Sequence, residues 1–300
     1  MKLIFTHVNS NLPEYIQYNF IQNRLLNPTL DISIVCHKNK LSSKSYNYLL
    51  QSNIQLIPYE DLEQDDLVQE FRKISWYKVW GIPDTKYPSP LDFVQGTTER
   101  LYALNAYLSK IKINDVFHSE NDVLCYTPIL DIYNIVKNNF AKLSLTKMGN
   151  QDHTFSFVYI PTPKTLYDFC VYNLEKMKLG DQHLRRIYHM DMVHEMSIAK
   201  IYEEETNQLD FFPILKTDNT FSFFNSLFDP ASYGQYLGGT NNHGLGPGYA
   251  GAHHIIGREI LNNRHIPYIS TNGTPYVDNI KLNTLHVHSK QLQNFLLKDI

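Results

Sequence analysis

The first 36 residues constrain this chain most, because they read as strand, helix, strand. Residues 3–8 are a short apolar run suited to a buried parallel strand. Asn11 and Glu14 stand at capping-box spacing, and Pro13 falls in a first turn, where a missing N–H costs little. Ile16, Phe20 and Leu25 follow at near-helical spacing until Asn27-Pro28 stops the run, and residues 32–36 supply a second strand. Two strands joined through a helix lie parallel, which places ligand loops at their carboxyl ends. The expected fold class is α/β, with a mixed, mostly parallel central sheet flanked by helices.

The rest of the chain continues the alternation. Residues 54–58 read as a short strand and residues 82–90, rich in proline, as a loop. Thr97-Thr98 is suited to cap a helix carrying Leu101, Leu104 and Leu108, followed by a strand over 113–117. Thr127-Pro128 opens a helix whose apolar face is Ile129, Ile132, Ile135 and Val136. Strands follow over 142–147 and over 154–160, where Phe155, Phe157 and Tyr159 alternate. One helix runs from Thr162-Pro163 to a Gly180 cap, and a second from Asp181 to about residue 202. Residues 211–248 read as loops. A helix over 249–263, strands over 266–269 and 282–287, and a terminal helix complete the chain. At 300 residues a single domain, 1–300, is expected.

Composition narrows the function classes. The net charge is -3 and no long basic run exists, which argues against a nucleic-acid-binding surface. Cys36, Cys125 and Cys170 are far apart and form no CxxC pair, so neither a disulfide framework nor a thiolate zinc site is expected. The opening apolar stretch is too short for a signal peptide, and no run of 18 apolar residues suggests a transmembrane segment. The expected location is cytoplasmic.

Chemistry concentrates in two places. In His118-Ser119-Glu120-Asn121-Asp122, two carboxylates stand two residues apart at the end of a strand, where burial without partners costs several kcal/mol, on the order of a lost ion's hydration. Carboxylate oxygens suit Mg²⁺ or Mn²⁺, which leave positions for phosphates; an acidic turn capping the next loop is the structural alternative. In His286-Val287-His288-Ser289-Lys290, the two imidazoles share a strand face and the lysine offers a point charge for phosphate. Two solvated histidines on a half-exposed strand are the alternative there. Arg100, near the start of its helix, is either a solvated residue or a donor to a nucleotide.

The string Thr97-Thr98-Glu99-Arg100-Leu101-Tyr102, then His118-Ser119-Glu120-Asn121-Asp122-Val123-Leu124, resembles the GT-A-fold glycosyltransferases and their acidic DxD motif. Leu12-Pro13-Glu14-Tyr15-Ile16, Phe228-Asp229 leading to Gly234-Gln235-Tyr236-Leu237-Gly238-Gly239, and the final His286-Val287-His288-Ser289-Lys290 are similar too, in the family's order. The resemblance implies a Rossmann-like nucleotide-sugar-binding half (about 1–125) and an acceptor-binding half (about 126–300). It implies Asp122 as a metal ligand, with His286 or His288 completing the shell around Mn²⁺ or Mg²⁺. Glu120, Asn121, Arg100 and Lys290 would hold the donor, a UDP- or GDP-sugar, and the acceptor would be a glycan or other hydroxyl. Asp191 and Asp229 are the candidate catalytic bases. The first acidic residue is Glu rather than Asp, and the histidine–lysine spacing differs from some members.

Other motifs carry less. Gly244-Leu245-Gly246-Pro247-Gly248 follows no clear strand and has proline where a phosphate loop needs N–H donors. His194-Glu195 lacks a second histidine four positions on from the first, and no GxSxG elbow occurs. A sugar nucleotidyltransferase would carry a glycine-rich basic loop where Asn9-Ser10-Asn11-Leu12-Pro13 stands. A non-catalytic carbohydrate-binding or assembly protein is the other alternative.

Overall fold

The computed structural model describes residues 1–8, 10–74, 90–190, 193–241 and 244–298, with side chains from residue 95 in the segment beginning at 90. Its centre is a seven-stranded sheet. The strands are β1 (Lys2–His7), β2 (Ile32–Cys36), β3 (Gln55–Pro58), β4 (Val116–Ser119), β6 (Leu143–Lys147), β7 (His153–Ile160) and β8 (Leu209–Phe211), in the order β3-β2-β1-β4-β7-β6-β8. Every neighbouring pair is parallel except the two that β7 makes, with β4 and β6. The mixed, mostly parallel sheet expected from the opening residues is therefore present. The strand order reverses at β1, so the carboxyl ends of β1 and β4 flank the crevice where open α/β sheets bind ligands.

Alternation along β1 builds two apolar layers. Ile4 faces one layer, together with Leu101, Leu104, Val116, Phe169 and Ile198. Leu3 and Phe5 face the other, with Phe20, Phe117, Ile129 and Phe157. The first layer is covered by helices α3 (Asp66–Arg72), α4 (Pro90–Ile111), α6 (Pro163–Leu179), α7 (Asp181–Tyr188) and α8 (Glu195–Thr206). The second lies under α1 (Ile16–Leu26), α2 (Ser43–Gln51) and α5 (Ile129–Asn139). A third apolar cluster belongs mostly to the C-terminal part. There the short helices α9 (Phe221–Phe224), α10 (Ser232–Gly238) and α11 (Ile255–Leu261) surround two small sheets. One is antiparallel β11-β10-β9, from β9 (Pro267–Ile269), β10 (Pro275–Val277) and β11 (Ile280–Lys281); the other pairs β12 (Thr284–His286) with β5 (Val123–Cys125).

Several local expectations are corrected. Helix α1 begins at Ile16 with no side-chain cap, and Glu14 pairs with Lys44 instead of closing a capping box. Leu25 is half exposed, while Asn19, Gln22 and Asn23 are buried. Helix α4 starts before Thr97, so Thr98 lies inside it and gives its hydroxyl to buried Glu195. The helix expected from 181 to 202 breaks: His189 has φ of +53° and His194 caps α8 by accepting from the backbone of Met196 and Ser197. The register of β7 shifts against β6, which sends Phe155 to the opposite layer from Phe157 and Tyr159. Gly234 lies in α10 rather than a loop, the 249–263 helix shortens to α11, and the chain's end makes only a 3₁₀ turn at Leu292–Phe295. The proline-rich loop lies almost wholly outside the described residues.

Candidate functional site

The acidic loop leaves β4 at the point of strand-order reversal, and its backbone is held from below. Asn19 of α1, fully buried, donates its side-chain amide to the carbonyls of Glu120, Asn121 and Val123 at 3.3, 2.9 and 2.9 Å. Gln22 reaches the carbonyl of Cys125 at 2.6 Å, and Asn27 accepts from the N–H of Ile129 at the start of α5. This explains why α1 buries polar residues. Beside Ile16 and Phe20, which pack into the apolar layer, part of its inner face meets unpaired backbone, and buried carbonyls need donors. The stripe of Asn19, Gln22, Asn23 and Asn27 has helical periodicity, a signal that a search for apolar faces passes over.

The loop is pinned from the side by β12. Strand pairing sets His286 opposite Val123, and the N–H of Val287 donates to the carbonyl of Asp122 at 2.8 Å. Two segments far apart in sequence thus meet. The Nε2 atom of His286 lies 3.1 Å from Asp122 Oδ2 and 3.3 Å from Glu120 Oε2. Lys290, turned back with φ of +62°, also bonds Asp122. A left-handed backbone costs a non-glycine residue about 1–2 kcal/mol, so the turn is held by its contacts.

The charges respond to this crowding. Burial opposes ionisation of Asp122, yet His286 and Lys290 hold its carboxyl well below the usual range. Burial likewise opposes protonation of His286, but Asp122 and then Glu120 outweigh it and raise the imidazole above its usual 6.5. His288 stacks on His286 with ring centroids 4.1 Å apart, and burial followed by the neighbouring His286 pushes it well below 6.5. His288 Nε2 and His286 Nδ1 are buried without a hydrogen-bond partner.

The donor set fits a divalent cation. Glu120, Asp122 and His286 each offer one atom, all within 4.8 Å of one another, two oxygens and one imidazole nitrogen. Of the two histidines raised by the sequence, His286 joins this group and His288 stands behind it.

The remaining candidates take different places. Arg100 is not at a helix start; it lies inside α4, part-buried, with Nη2 2.5 Å from Glu120 Oε1 and 3.7 Å from Glu195 Oε1. It braces Glu120 through this ion pair. The side-chain amide of Asn121 points to His7 at 2.7 Å, and burial brings that imidazole down to about 4. Asp229, the other candidate base, lies behind β12. It is buried, and its two oxygens accept from the N–H groups of Tyr233, Gly234 and His286 at 3.0, 2.9 and 2.8 Å. Burial lifts its carboxyl to about 6 against those bonds, but its lone pairs serve to position His286 and α10. Asp191 lies outside the described residues. Sequence reasoning passed over His7, Asn19 and Glu195, which carry the loop.

No family model matches the sequence, and no curated protein matches it. Solved structures do match. The chain is similar to mouse xyloside xylosyltransferase 1 at 11% identity over 74% of this chain and 90% of that one, with a TM-score of 0.49. It is similar to the galactosyltransferase LgtC, solved with donor and acceptor sugar analogues, at 11% identity over 71% and 73%, TM-score 0.38. It is also similar to a cytidylyltransferase from Leptospira borgpetersenii at 9% identity over 71% and 75%, TM-score 0.38.

Proposed function

We propose that this chain is a GT-A-type glycosyltransferase that moves a sugar from a nucleotide-sugar diphosphate to an acceptor hydroxyl, with a divalent metal at Glu120, Asp122 and His286. The observation that carries the reading is the convergence of these three side chains and Lys290 beside the carboxyl end of β4, with His286 lying 164 positions beyond Asp122 in sequence. A divalent cation bound there would supply Lewis-acid neutralisation of the charge that grows on a leaving diphosphate.

The chain's own residues do the rest. Lys290 is part-exposed beside Asp122, so its ammonium is available to a phosphate oxygen as well. A unit pair at 4 Å is worth about 4 kcal/mol at an effective dielectric near 20, enough to matter in the barrier. Arg100 pairs with Glu120 and holds it beside His286, and Asn19 fixes the loop so that little reorganisation accompanies the reaction. Asp229 orients His286 through its backbone N–H.

A thermal-shift panel of UDP-, GDP-, CMP- and dTDP-sugars, with and without Mn²⁺, tests the reading. Stabilisation that needs both the metal and one nucleotide class is expected. A flat response across the panel would favour a non-catalytic binding protein, and turnover of a nucleoside triphosphate with a sugar phosphate would favour a nucleotidyltransferase.

A further inference from the structure

The small C-terminal sheet carries a feature that the metal site does not use. Strand pairing sets Tyr268 opposite Tyr276 and Tyr276 opposite Lys281, so the three side chains form one row across β9, β10 and β11. The other face of the sheet is apolar and packed: Pro267, Pro275 and Val277 are buried. The row faces outward. The two tyrosine rings are stacked and nearly parallel, 18° apart with centroids at 5.7 Å, and Tyr268 is 43% exposed. The hydroxyl of Tyr268 donates to Asn279 Oδ1 at 3.0 Å, which fixes the ring. A cross-strand tyrosine pair alone is ordinary sheet packing.

What sets this pair apart is the end of the row. Lys281 is half-buried and makes no hydrogen bond or ion pair through its ammonium with a described residue, and it lines a cavity of about 330 Å³. The cavity holds Thr127, Asp131, Ser226 and Asn283 beside the ring of Phe224. Thr127 donates to Asn283 Oδ1 at 2.6 Å, and Asn283 donates to Ser226 at 2.7 Å, so the polar wall is set in place before any ligand arrives. Burial lowers Lys281 below its usual 10.5, and Asp131 only partly offsets this. A part-buried cation that Asp131 offsets only in part, and that makes no direct ion pair with a described residue, favours an added anion.

We propose that Tyr268, Tyr276 and Lys281, with the adjoining cavity, form a binding site for an acidic saccharide. Flat tyrosine faces take the apolar C–H faces of sugar rings, and the lysine takes a carboxylate on the sugar. Hydroxyls of the same sugar meet Asp131 and the Thr127–Asn283–Ser226 relay, a set of both acceptors and donors. The site shares no residue with Glu120, Asp122 and His286, and it stands whether or not that trio holds a metal.

Binding of trigalacturonate to the full chain, measured by calorimetry beside the neutral trimer maltotriose, tests this. The acidic trimer is expected to bind at least tenfold more tightly than the neutral one. Tyr268→Ala should weaken it at least tenfold, and Lys281→Met should erase the preference for acid while the melting temperature stays near that of the wild type. Asp122→Asn should bind the trimer unchanged. Equal affinity for the two trimers, or equal affinity in wild type and Tyr268→Ala, would overturn the site. Loss of binding in Asp122→Asn would also overturn it by moving the saccharide to the acidic loop, whereas failure of the nucleotide panel leaves it standing.

Discussion

Asp122 and His194 show how far residue type alone can mislead. Both lie in motifs that invite a metal, yet among the described residues only Asp122 joins a three-ligand cluster; His194 accepts two backbone N–H bonds as the cap of α8 and faces Asp152 at 3.4 Å. His194→Ala should therefore lower stability by about 1 kcal/mol, the usual worth of a cap, and leave any manganese-dependent thermal shift intact. Chemical denaturation with and without Mn²⁺ separates the two effects. His286 gives a pH prediction. Its pKa is raised above 6.5 in the fold, so its contribution to stability is complete below 6.5 and fades as pH climbs through the folded value. Asp122 is lowered, so its contribution holds above 3.8 and fades only as pH falls through its folded value. A metal needs the neutral imidazole, so Mn²⁺ affinity should rise with pH above 6.5 with release of about one proton per ion. Calorimetry in buffers of different ionisation enthalpy counts that proton, and a pH-independent affinity would remove His286 from the shell.

At the scale of elements, α10 and β12 touch closely enough to make one glycine decisive. A Cβ on Gly234 would come within 2.0 Å of the backbone oxygen of His286 and 3.0 Å of Asp229 Oδ2. Gly234→Ala should cost about 1–3 kcal/mol by overpacking and displace His286, so the metal-dependent shift should shrink together with the melting temperature. Retention of the full shift would show that β12 yields without moving its histidine. The opening strands and helix were legible in the sequence because burial on both faces leaves continuous apolar runs, as at residues 3–8 and 32–36. The acidic pair was legible because two carboxylates after a strand have few structural uses. The clamp under it was not, since Asn19 and Gln22 look like ordinary surface residues until the carbonyls they satisfy are in place. Nor was the break between α7 and α8, where tertiary packing overrode a continuous helical pattern at His189. Strand β5, three residues long, is too short for periodicity to reveal, whereas β12 falls within the strand expected over 282–287.

For the whole molecule, the proposed donor and acceptor halves are not laid out as separable bodies. Strand β4, before the boundary near residue 125, pairs with β7 beyond it, and β5 pairs with β12 near the chain's end. Unfolding should accordingly give one calorimetric transition, and two well-separated transitions would show that the halves fold alone. The same layout explains why the site needs two distant segments: Glu120 and Asp122 come from the loop after β4, and His286 and Lys290 close over them from the C-terminal part. Because each bound species favours the other, a metal and a nucleoside diphosphate sharing this cluster must tighten one another equally. Electron paramagnetic resonance titration of Mn²⁺, with and without UDP or GDP, measures this directly. One nucleotide should tighten Mn²⁺ at least tenfold in the wild type and not in Asp122→Asn, whereas Mn²⁺ binding that ignores both nucleotides, or survives Asp122→Asn unchanged, would contradict the account.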